Sequence, residues 1–233
     1  LWISTYYRGI EYLDITSGQF THYNKNTVPG LPCEQTWTVL DGGDGNLYIG
    51  HVGSGFSILS LKDKSVKNFR NEAGNPMSLP GNDVFCIIKD TNGNIWLGTN
   101  KGLALYNAAN ENFITFKKNK NDKYDTLCSR ILSIRQLKDN KLWIASELNG
   151  IAILNLKQSM FLSPEEISLE YIQEGADNRS LSNASARCIF QDSFDNIWIG
   201  TWGGGINFIS SKPPLFTTLS YSPIPNNENS LNN

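Results

Sequence analysis

The sequence predicts an all-β chain, a β-propeller segment of four-stranded blades, and two observations carry that prediction. A unit of about 47 residues recurs four to five times, and each copy divides into short apolar strands separated by Gly, Asn and Asp turns. The clearest mark of the repeat is an aromatic residue in the second strand. Trp2, Tyr48, Trp96, Trp143 and Trp198 lie 46, 48, 47 and 55 residues apart. Four-stranded units at this period suit propeller blades. A single blade cannot cover both of its faces, so it must stack on neighbours.

The first copy is joined midway, at Leu1-Trp2-Ile3-Ser4-Thr5, so residues 1–31 are expected to supply only the outer three strands of a blade. Residues 32–79 hold an inner strand at Trp37–Leu40 and the variant Gly45-Asn46-Leu47-Tyr48-Ile49-Gly50. Residues 80–127 show the fullest motif, Gly93-Asn94-Ile95-Trp96-Leu97-Gly98-Thr99, after the apolar Val84–Ile88 and before Leu103–Tyr106 and Phe113–Phe116. Residues 128–181 keep Leu142-Trp143-Ile144-Ala145-Ser146 and carry about eight extra residues, assigned to Gln158–Glu174, where Pro164–Ile167 suggests a short helical turn. Residues 182–231 repeat the motif as Asp195–Thr201, and are expected to form a fourth complete blade. A Ser-Leu connection recurs at Ser78-Leu79, Ser180-Leu181 and Ser230-Leu231, where a further inner strand should begin. The chain is thus expected to be one part of a larger ring, and to self-associate or aggregate through uncovered faces and an unpaired edge if it stands alone.

Within this frame Trp2, Tyr48, Trp96, Trp143 and Trp198 read as core, filling the space between adjacent blades. The Gly or Ala two residues on (Gly50, Gly98, Ala145, Gly200) is expected to allow close backbone approach. Asp41, Asp44, Asp90, Asp139, Asp192 and Asp195 read as equivalent turn residues that satisfy backbone groups. Cys86 and Cys188 share one repeat position and Cys33 and Cys128 another, each pair two blades apart. That separation should exceed the reach of a disulfide, so all four read as reduced, mostly buried small hydrophobes.

Composition narrows the function classes. With 39% hydrophobic and 18% charged residues the chain can bury a core. A net charge of -2 argues against nucleic-acid binding. The one dense basic stretch, Lys117, Lys118, Lys120 and Lys123, is broken by Asn and Asp and reads as a solvated loop. Only two histidines, His22 and His51, and widely spaced cysteines argue against a metal centre, and nothing calls for a cofactor.

The Asn-Ile-Trp-Leu-Gly-Thr-x-x-Gly-Leu pattern of residues 94–103 resembles the regulator-propeller repeat of bacterial hybrid two-component sensors, as do the Asn-x-Ser-Leu connection and inner strands ending in Asp90 and Asp192. The likeness covers essentially the whole chain. It implies seven-bladed propellers in the periplasmic sensor region of an inner-membrane receptor, with a histidine kinase elsewhere in the parent protein. It also implies a homodimeric parent and an oligosaccharide ligand. The departures are Tyr48 for Trp, Ala145-Ser146 for Gly-Thr, and the surplus in 158–174.

Propeller ligands commonly sit where the loops between second and third strands meet the starts of the inner strands. Here those positions offer Tyr6, Tyr7, Arg8, Glu147 and Trp202 from the loops, and Trp37, Phe85, Arg130 and Arg187 from the inner strands. Aromatic faces with converging polar groups suit a sugar. Trp202 is the most informative, because the repeat does not demand an aromatic there. Two alternatives stand beside a non-enzymatic sensor. One is a propeller lyase or glycoside hydrolase, for which Glu34, Asp83 and Glu147 would have to converge. The other is a protein-interaction scaffold.

Overall fold

A computed structural model describes residues 1–116, 123–156, 169–177 and 179–212, and the backbone of 220–221 and 230–231. Five antiparallel sheets follow one another along the chain. The first holds β1 (Trp2–Thr5), β2 (Gly9–Leu13) and β3 (Phe20–Tyr23). The second holds β4 (Thr36–Asp41), β5 (Asn46–His51), β6 (Phe56–Ser60) and β7 (Val66–Phe69). The third holds β8 (Val84–Lys89), β9 (Ile95–Thr99), β10 (Gly102–Asn107) and β11 (Asn112–Thr115). The fourth holds β12 (Ile131–Gln136), β13 (Lys141–Ser146), β14 (Ile151–Asn155) and β15 (Leu169–Ile172), and the fifth β16 (Ala186–Gln191), β17 (Ile197–Thr201) and β18 (Gly205–Ile209). These are propeller blades, each a meander in chain order.

Three strands of the fifth blade lie among the described residues, and its expected outer strand falls outside them. Beyond them, β19 (Ser220–Tyr221) pairs in parallel with β20 (Ser230–Leu231). Lys117, Lys118 and Lys120, and the surplus of the fourth copy up to residue 168 with its suggested helical turn, lie outside the described residues.

The core is divided among the spaces between blades. Ile10 meets Leu47, Ile49 and Leu59 between the first and second sheets. Tyr48 and Phe56 meet Val84, Ile95 and Leu97 between the second and third. Trp96 and Leu103 meet Ile131, Leu142 and Ile144 between the third and fourth. Trp143 and Ile153 meet Ala186, Ile189 and Ile199 between the fourth and fifth. Because side chains alternate along a strand, Ile95 and Leu97 face the preceding blade and Trp96 the following one. That is why the second strands read as unbroken apolar runs: both of their faces are buried.

The aromatic positions do not share one fate. Tyr48, Trp96 and Trp143 are buried, Trp2 is half-buried, and Trp198 is 39% exposed. Trp198 turns to the side of the fifth blade that no described blade covers, where it packs on Phe208. The expected burial of a core residue is not met among the described residues there, since burial at this position comes from the neighbour and not from the motif.

The reasons given for the glycines and aspartates also change. A Cβ on Gly98 would meet Cys86 Sγ at 2.5 Å and Ile131 Cβ at 3.0 Å, and one on Gly200 would meet Cys188 Sγ at 2.7 Å. The space is taken by the side chain directly opposite on the inner strand, not by backbone alone. In the fourth blade Ser133 stands opposite Ala145, so a smaller partner goes with a larger residue. Cys86 and Cys188 are free cysteines, half-buried and exposed, so the expectation of mostly buried thiols fails for Cys188. The thiol of Cys86 is wedged in this contact, and burial pushes it up to about 12.

Asp44 and Asp139 share one repeat position, each accepting the N–H two residues on, and Asp90 and Asp192 share another. Asp90 and Asp192 each accept two backbone N–H groups of the turn and the indole Nε1–H of Trp96 or Trp198, at 2.9 and 3.0 Å. At the same place the fourth blade has Leu137, and Trp143 Nε1 is buried with no hydrogen-bond partner among the described residues. Asp44 receives the Tyr48 hydroxyl at 3.1 Å, and Asp41 receives Trp2 Nε1 from the preceding blade at 3.2 Å. Asp195 instead takes the left-handed turn position, φ 67°, where the third blade has Gly93 and the fourth Asn140. Asp and Asn tolerate that conformation better than other residues with a Cβ.

Candidate functional site

In all four sheets that have an inner strand, that strand pairs with its neighbour through a one-residue register shift at the same place. The shifts fall between Thr36 and Thr38, Val84 and Cys86, Ile131 and Ser133, and Ala186 and Cys188. The extra residues are Trp37, Phe85, Leu132 and Arg187. A bulge leaves one residue unpaired and re-aims its side chain, which suits the rim of a binding face. Sequence reasoning named Trp37, Phe85 and Arg187 but missed Leu132. Aligning the inner strands on their second residue would have put all four in one column.

The loops beyond the second strands lie over these bulges because their backbones are tied there. The first loop residue donates its N–H to the carbonyl just before the inner strand in every case: Val52 to Gln35, Asn100 to Asp83, Glu147 to Arg130, and Trp202 to Ser185, at 2.9–3.1 Å. Glu147 and Trp202 thus fill one and the same slot, which Val52 and Asn100 fill in the other blades. Nothing in the fold requires an acid or an indole at that slot.

These slots bring seven of the eight candidate residues into one strip across all five blades. Tyr7 meets Tyr6 at 4.8 Å between ring centroids, Tyr6 meets Trp37 at 6.5 Å, and Trp37 meets Phe85 edge-on at 5.5 Å. The guanidinium of Arg130 lies over Phe85 at 5.5 Å and gives Nη1–H to Glu147 Oε2 at 2.9 Å. Arg187 gives Nη2–H to Glu147 Oε1 at 3.1 Å, and its guanidinium stacks on Trp202 at 4.6 Å. Trp202, Tyr7, Trp37 and Tyr6 are 68%, 75%, 49% and 46% exposed. Arg8 is the candidate outside the strip: its backbone N–H bonds Thr5 Oγ1, and its side chain is in none of these contacts.

Two of the three carboxylates that a hydrolase would need to converge, Asp83 and Glu147, are already engaged. Asp83 Oδ1 accepts the Gly53 N–H at 2.7 Å, and Glu147 is shared by two arginines. They lie on different blades and in different contacts, without the facing pair that acid–base hydrolysis uses. Two concavities, of about 510 and 560 Å³, lie elsewhere. One is beside Asp44, Tyr48, Lys89 and Tyr106, the other beside Ile172, Leu181 and Phe208. The strip is an open aromatic and cationic surface, fit for an extended ligand laid across blades.

Fold and strip together define a class, a β-propeller segment with an exposed strip of aromatic and arginine side chains across its blades. Two-component regulator propeller repeats occur in this chain: the model of that family matches at residues 78–101 and 180–203. The second match ends on Trp202 and Gly203. The chain is similar over 94% of its length, at 63% identity and a TM-score of 0.76, to the extracellular domain of the hybrid two component system BT3049 from B. thetaiotaomicron. It spans 26% of that chain. It is 33% identical over 94 residues, 38% of its length, to Histidine kinase P4 of Formosa agariphila, of which that stretch is 7%. Fold alone is shared with the extracellular domain of BT4673 from B. thetaiotaomicron, at 20% identity and a TM-score of 0.67 over 89% of this chain and 25% of that one.

Proposed function

We propose that this chain is a run of blades in the extracytoplasmic sensor region of a hybrid two-component receptor, and that it binds an oligosaccharide on the strip from Tyr7 to Trp202 without turning it over. The observation that carries the binding reading is the strip itself. Exposed aromatic rings on blades one, two and five and the half-buried Phe85 of blade three adjoin a hydrogen-bonding Arg–Glu–Arg group, in slots that the repeat leaves free to vary. Aromatic faces stack on sugar rings while directed polar groups fix hydroxyls. The likeness to an extracellular domain of a hybrid two-component system, at 63% identity, supports the place of the chain in such a receptor. In this reading the remaining blades, the periplasmic setting, the homodimer and the kinase belong to the parent protein. Ligand binding shifts the relative population of propeller arrangements and so the state of the kinase.

Isothermal titration of the intact sensor region against a panel of plant and microbial oligosaccharides tests this. Trp202→Ala and Trp37→Ala are each expected to weaken binding about 5–10-fold, as removal of one stacking contact costs on the order of 1–1.5 kcal/mol. Unchanged affinity in both variants, with the circular-dichroism spectrum intact, would sink the placement. Product formation that disappears in Glu147→Gln would favour the enzyme instead.

A further inference from the structure

We infer that the ligand of this face is an anionic sugar, one that carries a carboxylate or a sulfate, and that Arg130 and Arg187 receive the charged group. The inference rests on the oligosaccharide reading above. The chain as a whole carries a net charge of -2, but this point of the strip is positive: two guanidiniums share the single carboxylate of Glu147. Each gives Glu147 one nitrogen, Nη1 of Arg130 and Nη2 of Arg187, at opposite oxygens. Neither pair is the two-pronged fork that an arginine makes with a carboxylate it fully occupies. Donors therefore remain on the Nη groups of both arginines, while Arg187 Nε is buried and has no acceptor among the described residues.

The two guanidiniums also lie over aromatic rings, Arg130 over Phe85 at 5.5 Å and Arg187 over Trp202 at 4.6 Å. Contact with a ring limits the movement of each guanidinium before any ligand arrives, so less side-chain freedom is lost on binding. Glu147 bonds both and holds them together. Blades one to three supply the aromatic half of the strip and blades four and five the cationic half, an arrangement matched by a sugar chain with apolar ring faces and an acidic substituent at one end. Asp83 lies on the aromatic half, where its Oδ1 accepts the Gly53 N–H.

The test is a matched panel on the intact sensor region. Its members are oligosaccharides from uronic-acid glycans with their carboxyl-reduced forms, and oligosaccharides from sulfated galactans with their desulfated forms. One of the two anionic sets is expected to bind, with at least 10-fold preference over its neutral counterpart. The set that binds distinguishes carboxylate from sulfate. Arg130→Gln and Arg187→Gln are each expected to lower the anionic affinity about 10–100-fold and to leave neutral affinity within about 3-fold, as for loss of a charge-assisted hydrogen bond. Raising the ionic strength should weaken anionic binding alone. Glu147→Gln, which removes the competing carboxylate, should strengthen it.

Equal affinity for charged and neutral members overturns the inference and leaves the oligosaccharide reading standing. No binding by any member overturns both. A purely structural ion triad would give arginine variants with a lower melting temperature and an unchanged ratio of anionic to neutral affinity, and that result also refutes the inference.

Discussion

Trp96 and Trp198 hold the same place in the third and fifth blades. Both donate their indole N–H to an aspartate six residues earlier, at 2.9 and 3.0 Å. Yet Trp96 is 2% exposed and Trp198 39%. Trp96 is enclosed by Leu127, Ile131 and Ile134 on the way into the fourth blade, whereas the corresponding side of the fifth blade presents Trp198, Phe208 and Ile206 to solvent. The motif therefore builds the turn and aims the ring, but it does not make the core. The core is made by the next copy, and the stability credited to each tryptophan should follow its neighbour.

The largest expected effect is at the closed interface. Trp96→Ala empties a site between two blades and should cost about 3–5 kcal/mol, the range for buried aromatics. Urea denaturation would read it as a lower midpoint. A cost below about 1.5 kcal/mol would mean that the ring is held mainly by the Asp90 hydrogen bond, whose net worth is of that order. That outcome would break the contrast with Trp198.

A second effect appears with pH. Where the third and fifth blades have Thr99 and Thr201 and the fourth Ser146, the second has His51, wholly buried and bonded through Nε2 to Ser57 Oγ at 2.8 Å. Burial pushes this imidazole from 6.5 down to about 4. Its folded-state value is thus below its unfolded value, and the unfolded chain binds the proton more readily. The stability of the neutral form is complete above about pH 6.5 and falls as the pH drops towards 4, at a limiting slope of about 1.4 kcal/mol per pH unit. His51→Thr should flatten the melting temperature in that window. Asp14, Asp44, Asp63, Asp177 and Asp192 are all held below the ordinary carboxylate value of 3.8 by hydrogen bonds from their own turns, so what they contribute is lost only at lower pH. An unaltered profile between pH 6.5 and 4 in His51→Thr would show that the imidazole is not enclosed as described.

The same contrast explains what could be read from the chain in advance. The blade pattern was legible because it is local: a period near 47, a Trp strand buried on both faces, and turns that need Gly, Asn or Asp. Which ring is enclosed was not, since Trp198 and Trp96 have nearly identical surroundings in sequence. The strip was legible only in part. Its members were found by looking for residues the repeat does not require, which identified Trp202, Glu147 and Tyr6. Their assembly depends on bulges at Trp37, Phe85, Leu132 and Arg187, and a bulge is a property of strand pairing rather than of one strand. The Arg130–Glu147–Arg187 group likewise joins two blades across 40 residues of chain, and no local rule of spacing marks it.

The smallest effect sharpens the contrast most. Trp198→Ala in the 233-residue chain removes a ring that is already over a third exposed and packs on one aromatic neighbour, so the cost should be about 1 kcal/mol or less. The aspartate bond is lost as well, but Asp192 keeps its two backbone donors and its contact with Asn196, so no buried acceptor is stranded. The measurement belongs beside Trp96→Ala, under one denaturant and at several protein concentrations. If the cost is small and independent of concentration, the fifth blade is open and the ratio of the two substitutions gives the worth of one blade–blade contact. If Trp198→Ala costs as much as Trp96→Ala and the cost grows with concentration, the open face is covered by another copy in solution, and the difference between the two rings is one of partner and not of blade.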